Sequence, residues 1–323
     1  MNIDRRHFVK TVGMALAPLG VLRSAPFGVP GYSLQEDIPD LKIGICDWNL
    51  GPVSDPEMIP KAEKAHLEGI QVSIGDRPNH LPLRKQSVRK TYLEFGRKHN
   101  VSFPSVAAGS ILNRIPLKSE PQSSIFVLDA IEAADALGAN NILLAFFGAG
   151  DLRLRDDQGN LIEVGQGAHT TYKLDTKGAQ RVVEVLRQIV PRAEEADVVI
   201  GLENTLTAEQ NLDLIDAVGS DQVQVYYDVG NSAAYGYDVA EEIRRLGRDH
   251  ICEIHLKETL SLEGPTSRVL GAPKQRGVDF EAVVQACSDI GYDGWFVLET
   301  GGREGRFLED TRTNVSFVRR HFS

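Results

Sequence analysis

The chain has 323 residues, 35 Lys and Arg against 45 Asp and Glu, 42% hydrophobic residues and a formal net charge of −10. That acidity argues against nucleic acid as a partner, because such binding is driven by Lys and Arg neutralising phosphates. Three cysteines (Cys46, Cys252, Cys287), none in a CxxC pair, exclude a disulfide framework, and the apolar content suffices for a globular core.

The chain opens on Asp4-Arg5-Arg6-His7-Phe8-Val9-Lys10, followed by an uncharged apolar run from Thr11 to Leu22 and small residues at Ser24-Ala25. Charged start, apolar middle and small end are the parts of an export signal. The RRxFxK pattern resembles twin-arginine signals, which carry folded proteins across the bacterial inner membrane, so the expected location is the periplasm. The apolar run is shorter than the roughly 20 residues a membrane span needs, and no stable span is expected once the signal is removed. Removing residues 1–25 takes four basic residues and one acidic one and moves the net charge from −10 to −13. Residues 26–40, with Pro26, Pro30, Gly31 and Pro39, read as a linker, and the fold is expected over 41–323.

From Leu41 onward short apolar runs alternate with longer amphipathic ones. Strands are predicted at 41–46 (LKIGIC), 69–74 (GIQVSI), 101–107 (VSFPSVA), 141–147 (NILLAFF), 198–203 (VVIGLE), 223–228 (VQVYYD), 251–256 (ICEIHL) and 295–299 (WFVLE). They are rich in Val, Ile, Phe and Tyr and mostly lack strict alternation, as parallel strands covered on both faces do. Helices are predicted between them, among others at 56–68, 123–138, 178–196 and 279–291, with Gly138, Gly219 and Gly291 as C-terminal stops. Eight such units imply an α/β fold of one kind, a single (β/α)8 TIM barrel. No GxGxxG follows the first strand, which disfavours a doubly wound open sheet. Two long connections, 148–175 and 258–277, follow the fourth and seventh strands and are candidate lids or substrate walls.

The informative residues lie at strand ends. Glu203 ends strand five, Asp228 ends strand six, Glu299 ends strand eight, and His255 lies near the end of strand seven. A carboxylate finishing a buried strand is costly to desolvate unless it is paired or bound to a cation. A single case reads as a local salt bridge, but four polar residues on consecutive strands converge at the barrel mouth, where three carboxylates repel one another. A divalent metal resolves that repulsion. One imidazole with three carboxylates suits Mn2+, with Mg2+, Co2+ or Zn2+ as alternatives.

These segments, GLEN (201–204), YYDVGN (226–231), IHLKE (254–258), LE (298–299) and GVDFEAVV (277–284), resemble the xylose-isomerase-like barrel superfamily, in particular its sugar isomerase/epimerase branch. The resemblance covers about residues 41–320. It implies Glu203, Asp228, His255 and Glu299 as metal ligands and Glu203 with Glu299 as the catalytic acid/base pair. It also implies a small-molecule sugar substrate and a homo-oligomer. Two positions depart from the family pattern. Asn231 stands where many epimerases carry a substrate-holding histidine, and Ser261 where they carry an arginine. Lys257 or Arg268 is then the candidate positive donor to the substrate; Lys257 reads equally as an ion-pair partner of Glu258 or another acid.

Further substrate-binding candidates are Asn231 itself, His169 in the fourth connection, and Trp48, which stacks on a sugar ring or simply packs. Asn204 is expected to orient Glu203, and Cys46 and Cys252 to be small buried apolar residues. The chemistry expected is removal of a proton beside a ketone, with charge stabilised by the metal and two carboxylates exchanging the proton. Return to the same carbon gives an epimer; return to the neighbouring carbon gives an aldose–ketose isomer. The leading reading is thus a metal-dependent isomerase or 3-epimerase of an unphosphorylated ketose or keto-sugar. Alternatives are a 3-keto-glycoside lyase on the same site, an AP-endonuclease-type nuclease, and a non-catalytic sugar-binding barrel.

Overall fold

The computed structural model describes residues 41–165, 171–258, 268–271 and 277–322. The expected signal and linker therefore lie outside the described residues, as does His169. Eight parallel strands close into a barrel: β1 (Lys42–Cys46), β2 (Gly69–Ser73), β3 (Ser105–Ala107), β4 (Asn141–Ala145), β7 (Val199–Glu203), β8 (Val223–Asp228), β9 (Ile251–Leu256) and β10 (Trp295–Leu298), with β10 hydrogen-bonded to β1. Two short antiparallel strands, β5 (Glu163–Val164) and β6 (Thr171–Tyr172), lie outside it. All eight predicted strands are present at their predicted places. The third is much shorter than 101–107, because Pro104 has no N–H to give a ladder and Ser102 makes only an isolated bridge to Gly69.

The helices are α1 (Asp47–Leu50), α2 (Ile59–Lys64), α3 (Gln86–His99), α4 (Gly109–Leu112), α5 (Ser124–Leu137), α6 (Thr176–Ala196), α7 (Ala208–Val218), α8 (Val229–Ala234), α9 (Val239–Leu246), α10 (Phe280–Asp289) and α11 (Phe307–His321). Their starts follow capping chemistry. Asp175, Asp238 and Asp279 accept from backbone N–H groups of the first turns of α6, α9 and α10, and Thr207 with Gln210 forms a reciprocal capping box on α7. The segment predicted as one helix over 56–68 is a 3-10 turn at Pro56–Met58 followed by the short α2, and the chain turns out of it through His66, whose φ is +63°. The core lies between the helices and the barrel wall, where Ile43, Ile45, Val72, Ile142, Ile200, Ile254 and Leu298 are buried. Among the described residues no helix is long and apolar enough to cross a membrane.

The connection after β4 is more ordered than a bare loop. It folds back on itself through the β5–β6 pair and through bridges joining Arg153 to Leu174 and Arg155 to Leu161. Arg153 anchors it. Its guanidinium holds Asp151 through Nε (3.0 Å) and Nη2 (2.8 Å) and lies 5.0 Å from the Tyr172 ring centre and 4.4 Å from that of Tyr235. Asp151 in turn accepts from Thr205 Oγ1 (2.9 Å), so the excursion is tied to the end of β7.

Candidate metal centre

The C-terminal ends of β7, β8, β9 and β10 bring Glu203, Asp228, His255 and Glu299 together: one ligand atom from each lies within 4.8 Å of the other three. His255 Nδ1 is 3.5 Å from Glu203 Oε1, 3.7 Å from Asp228 Oδ2 and 3.6 Å from Glu299 Oε2. Strand register sets this. Asp228 pairs with His255 across β8 and β9, His255 with Val297 across β9 and β10, and the Glu299 N–H donates to Leu256 O at 3.1 Å.

Asp228 divides its two oxygens. Oδ1 caps α8 by accepting from the Asn231 N–H at 2.8 Å, which leaves Oδ2 for the centre. Two glycines of the sequence segments are explained by close approach. A Cβ on Gly230 would meet Lys257 Cγ at 2.5 Å and Glu258 O at 2.7 Å, and one on Gly201 would meet Cys252 Sγ at 2.7 Å and Ile142 O at 2.9 Å.

The donor set fits a hard divalent cation. Oxygens facing each other across an ion with bonds of about 2.1 Å are about 4.2 Å apart, so a spread of up to 4.8 Å needs only a small contraction. His255 Nδ1 is buried and makes no hydrogen bond to the protein, which fits an atom left for a cation, while Asp228 Oδ2 has only the charged neighbours His255 and Lys257.

Lys257 also reaches this centre. Its Nζ is 2.5 Å from Glu299 Oε2 and 2.8 Å from Asp228 Oδ2. Lys257 thus pairs with Asp228 and Glu299, while Glu258 accepts from the Gly271 and Val278 N–H groups.

The protonation states follow from crowding. Burial disfavours a charged Asp228, but Lys257 and His255 beside it hold its carboxyl well below the usual range. Glu299 is pushed up to about 7, by burial first and by the neighbouring Asp228 and Glu203, against the pull of Lys257. Burial disfavours ammonium on Lys257, yet Asp228, Glu299 and Glu203 keep its affinity for the proton above normal. Burial likewise works against a charged His255, and its contacts outweigh it and raise the ring's proton affinity well above normal. Of those contacts, Cys46 is a thiol pushed up to about 12 by burial and is neutral near pH 7, so the carboxylates are the effective partners.

A cavity of about 560 Å³ reaches this cluster, lined by Glu203, Glu299, Asn231 and Lys257 together with Trp48, Phe147 and Tyr235. Asn231 Nδ2 is 3.4 Å from Glu203 Oε1, and Trp48 meets the His255 ring edge-on at 6.2 Å between centres. The other expectations are corrected. Arg268 is exposed, donates to Gly302 O at 2.9 Å and does not line this cavity. Asn204 does not touch Glu203: its amide bonds Asn211 and the Leu206 N–H, bracing the turn into α7. Cys46 is buried but is no mere filler, its sulfur lying 3.4 Å from both His255 Nε2 and Gln71 Oε1. Sequence reasoning missed Tyr235, which stands seven residues beyond Asp228 in an unremarkable stretch, Ser73 at the end of β2, Phe147 just beyond β4, and Ser110 and Asn113 at α4, none of them in a motif.

Fold and site together define a (β/α)8 barrel with a candidate divalent-metal centre at the mouth of its strands. The family model described as xylose isomerase-like TIM barrel matches residues 59–321, and the chain belongs to that family. A D-psicose 3-epimerase of Enterocloster bolteae is 31% identical over 138 residues, 40% of this chain and 42% of the relative; the chain thus spans about two fifths of that protein's length. A 2-epi-5-epi-valiolone 7-phosphate 2-epimerase of Actinoplanes sp. is 27% identical over 72% of this chain and 77% of its own. Among solved structures, D-psicose 3-epimerase of Clostridium cellulolyticum H10 with D-tagatose superposes with a TM-score of 0.63 at 18% identity, covering 88% of this chain and 100% of that one. The 3-keto-D-glucoside 4-epimerase of E. coli gives 0.65 at 14% identity, covering 87% and 99%. At these identities the superpositions attest the shared barrel.

Proposed function

We propose that the protein is a metal-dependent sugar isomerase of the epimerase type, acting on an unphosphorylated ketose or keto-sugar. The observation that carries this reading is the convergence of Glu203, Asp228, His255 and Glu299 within 4.8 Å, with Glu203 and Glu299 lining a cavity. When bound by these four residues, a divalent ion (Mn2+ is the best match to the donor set) supplies the positive charge that acidifies a C–H beside the substrate carbonyl. Glu203 and Glu299 come from β7 and the end of β10, with Asp228 and His255 between them. That separation lets one carboxylate remove the proton and the other return it to the opposite side of the substrate.

Lys257 holds a substrate oxygen. Among the described residues it is the one cation lining the cavity, and it takes the task that Asn231, a neutral amide, cannot perform with charge. A single, already paired ammonium is a poor phosphate site, which supports an unphosphorylated substrate. Two of the relatives above are named as 3-epimerases, and this reading places the present chain's chemistry in the same class. The twin-arginine pattern at residues 5–10 supports export of the folded, metal-loaded protein to the periplasm.

The test is Mn2+-loaded protein incubated with unphosphorylated ketoses and keto-glycosides in D2O and followed by NMR. Deuterium entry with formation of an epimer supports the proposal. Release of an aglycone from a keto-glycoside would replace it with elimination at the same site, and no exchange into any substrate would remove it.

A further inference from the structure

We propose that Gln71 is a positioning residue for His255: it accepts the Nε2–H of the ring, leaves Nδ1 as the cation-facing nitrogen, and is itself oriented by a buried polar column ending on Glu253. The proposal rests on the metal centre described above and adds residues that no part of that reading uses.

The column crosses the inside of the barrel beneath the site. Gln71 on β2, Ser105 on β3 and Glu253 on β9 are each 0% exposed, so no water is on hand to exchange donor and acceptor roles. At the far end Glu253 is surrounded by donors. Asn141 Nδ2 donates to Oε2 (2.9 Å), while Ser105 Oγ (3.0 Å) and the Tyr226 hydroxyl donate to Oε1. Ser105 Oγ donates to Glu253, lies 3.3 Å from the Tyr226 hydroxyl, and presents its oxygen as an acceptor towards Gln71. Gln71 satisfies that oxygen with Nε2 at 3.0 Å, which turns its Oε1 towards His255 Nε2 at 3.0 Å. The Cys46 thiol donates to the same Oε1 at 3.4 Å.

A reversed Gln71 amide would draw the Ser105 proton away from Glu253 and set its NH2 against both the His255 ring and the Cys46 thiol, which would lose the oxygen they share. The contacts at both ends of the amide favour the one orientation. With Nε2 committed as a donor, the ring presents Nδ1 to Glu203, Asp228 and Glu299. Outer contacts of this kind, when removed, typically weaken metal binding by about 10–100-fold.

The experiment compares wild type with Gln71→Met, which keeps length and burial but has no acceptor oxygen, and with Ser105→Ala, which cuts the column one link further away. Two quantities are read: Mn2+ affinity by calorimetry, and the chemical shift of the His255 Nε2–H in 15N-labelled protein, both metal-free and loaded with diamagnetic Zn2+. The expected result is a downfield, hydrogen-bonded Nε2–H in wild type that moves upfield in Gln71→Met, with Mn2+ affinity about 10–100-fold weaker there and a smaller loss in Ser105→Ala. A Gln71→Met protein with the wild-type shift and affinity within twofold overturns the proposal. Should Gln71→Met fail to fold, unchanged affinity in Ser105→Ala overturns the column as the orienting device. If wild type binds no Mn2+, the metal centre itself falls, whereas the metal-free shift still decides whether Gln71 holds the ring.

Discussion

Lys257 offers the sharpest test of the electrostatics at the barrel mouth. Three carboxylates lie in one cluster, and at an effective dielectric of about 20 each like-charged pair at 4.8 Å repels by about 3.5 kcal/mol. The ammonium 2.8 Å from Asp228 and 2.5 Å from Glu299 offsets much of this when no divalent cation is bound. Replacing it by methionine in Lys257→Met keeps the apolar stem and removes the charge. Breaking a buried pair from one side costs about 3–5 kcal/mol. In a barrel of this size that is roughly 6–20 °C of melting temperature.

The loss should shrink in Mn2+-loaded protein, because the ion supplies the charge the variant lacks and binds it more tightly than wild type, where it competes with the ammonium. An excess of about 1,000-fold over the dissociation constant returns about 4 kcal/mol, so a roughly tenfold tighter site offsets about 1.4 kcal/mol more. It should also shrink at lower pH. The folded-state pKa of Glu299, about 7, is raised above its unfolded value, so protonation favours the folded state below that pH; without Lys257 the pKa rises further. Urea unfolding of both proteins at pH 6 and pH 8, with EDTA and with Mn2+, measures all of this. If Lys257→Met is as stable as wild type in EDTA at pH 8, or if Mn2+ stabilises the two equally, the ammonium is not the internal counter-ion of this cluster.

Three other outcomes follow from the same structure. Glu203→Gln should lower the rate of substrate C–H exchange in D2O by about 10²–10⁴-fold while the melting temperature stays within a few degrees, and turnover near the wild-type level would remove Glu203 from proton transfer. Arg153→Ala removes the buried partner of Asp151 and the stack on Tyr172 and Tyr235; Asp151 keeps Thr205 and Arg155, so a loss of about 2–3 kcal/mol is expected, with faster proteolysis confined to 148–175. Cleavage at the wild-type rate would show that the excursion is held some other way. Glu242 is pushed up to about 7, chiefly by burial, against the hydrogen bond it accepts from the Ala208 N–H. A raised carboxyl pKa stabilises the fold below its unfolded value and loses that contribution as pH climbs to the folded value. Wild type should therefore lose about 1–2 kcal/mol between pH 4.5 and 7, after allowance for the group's partial exposure, and Glu242→Gln should not. Parallel pH profiles of the two proteins would contradict this.

Much of the architecture could be read from residue order. Eight apolar runs separated by amphipathic segments leave a closed parallel barrel as the economical solution, since each strand must be covered on both faces. The cluster of strand-end residues was equally legible, because a charged residue at the end of a buried strand is a local anomaly visible in one dimension: Glu203 after VVIGL, Asp228 after VQVYY, Glu299 after WFVL.

What the sequence left open depended on distances between residues far apart in the chain. Lys257 and Arg268 were equivalent candidates as letters; the fold sends Lys257 into the carboxylate cluster and Arg268 to the carbonyl of Gly302. Cys46 and Gln71 stand 184 or more residues from His255, and their contact with it exists only because closing the barrel sets β1 and β2 near β9. Asn204 adjoins Glu203 in sequence yet turns away from it, since neighbouring strand-end residues point to different sides. Local pattern specifies which faces are buried and where charge interrupts them, whereas the partner each charge finds is decided by closure of the sheet, which no short stretch of sequence contains.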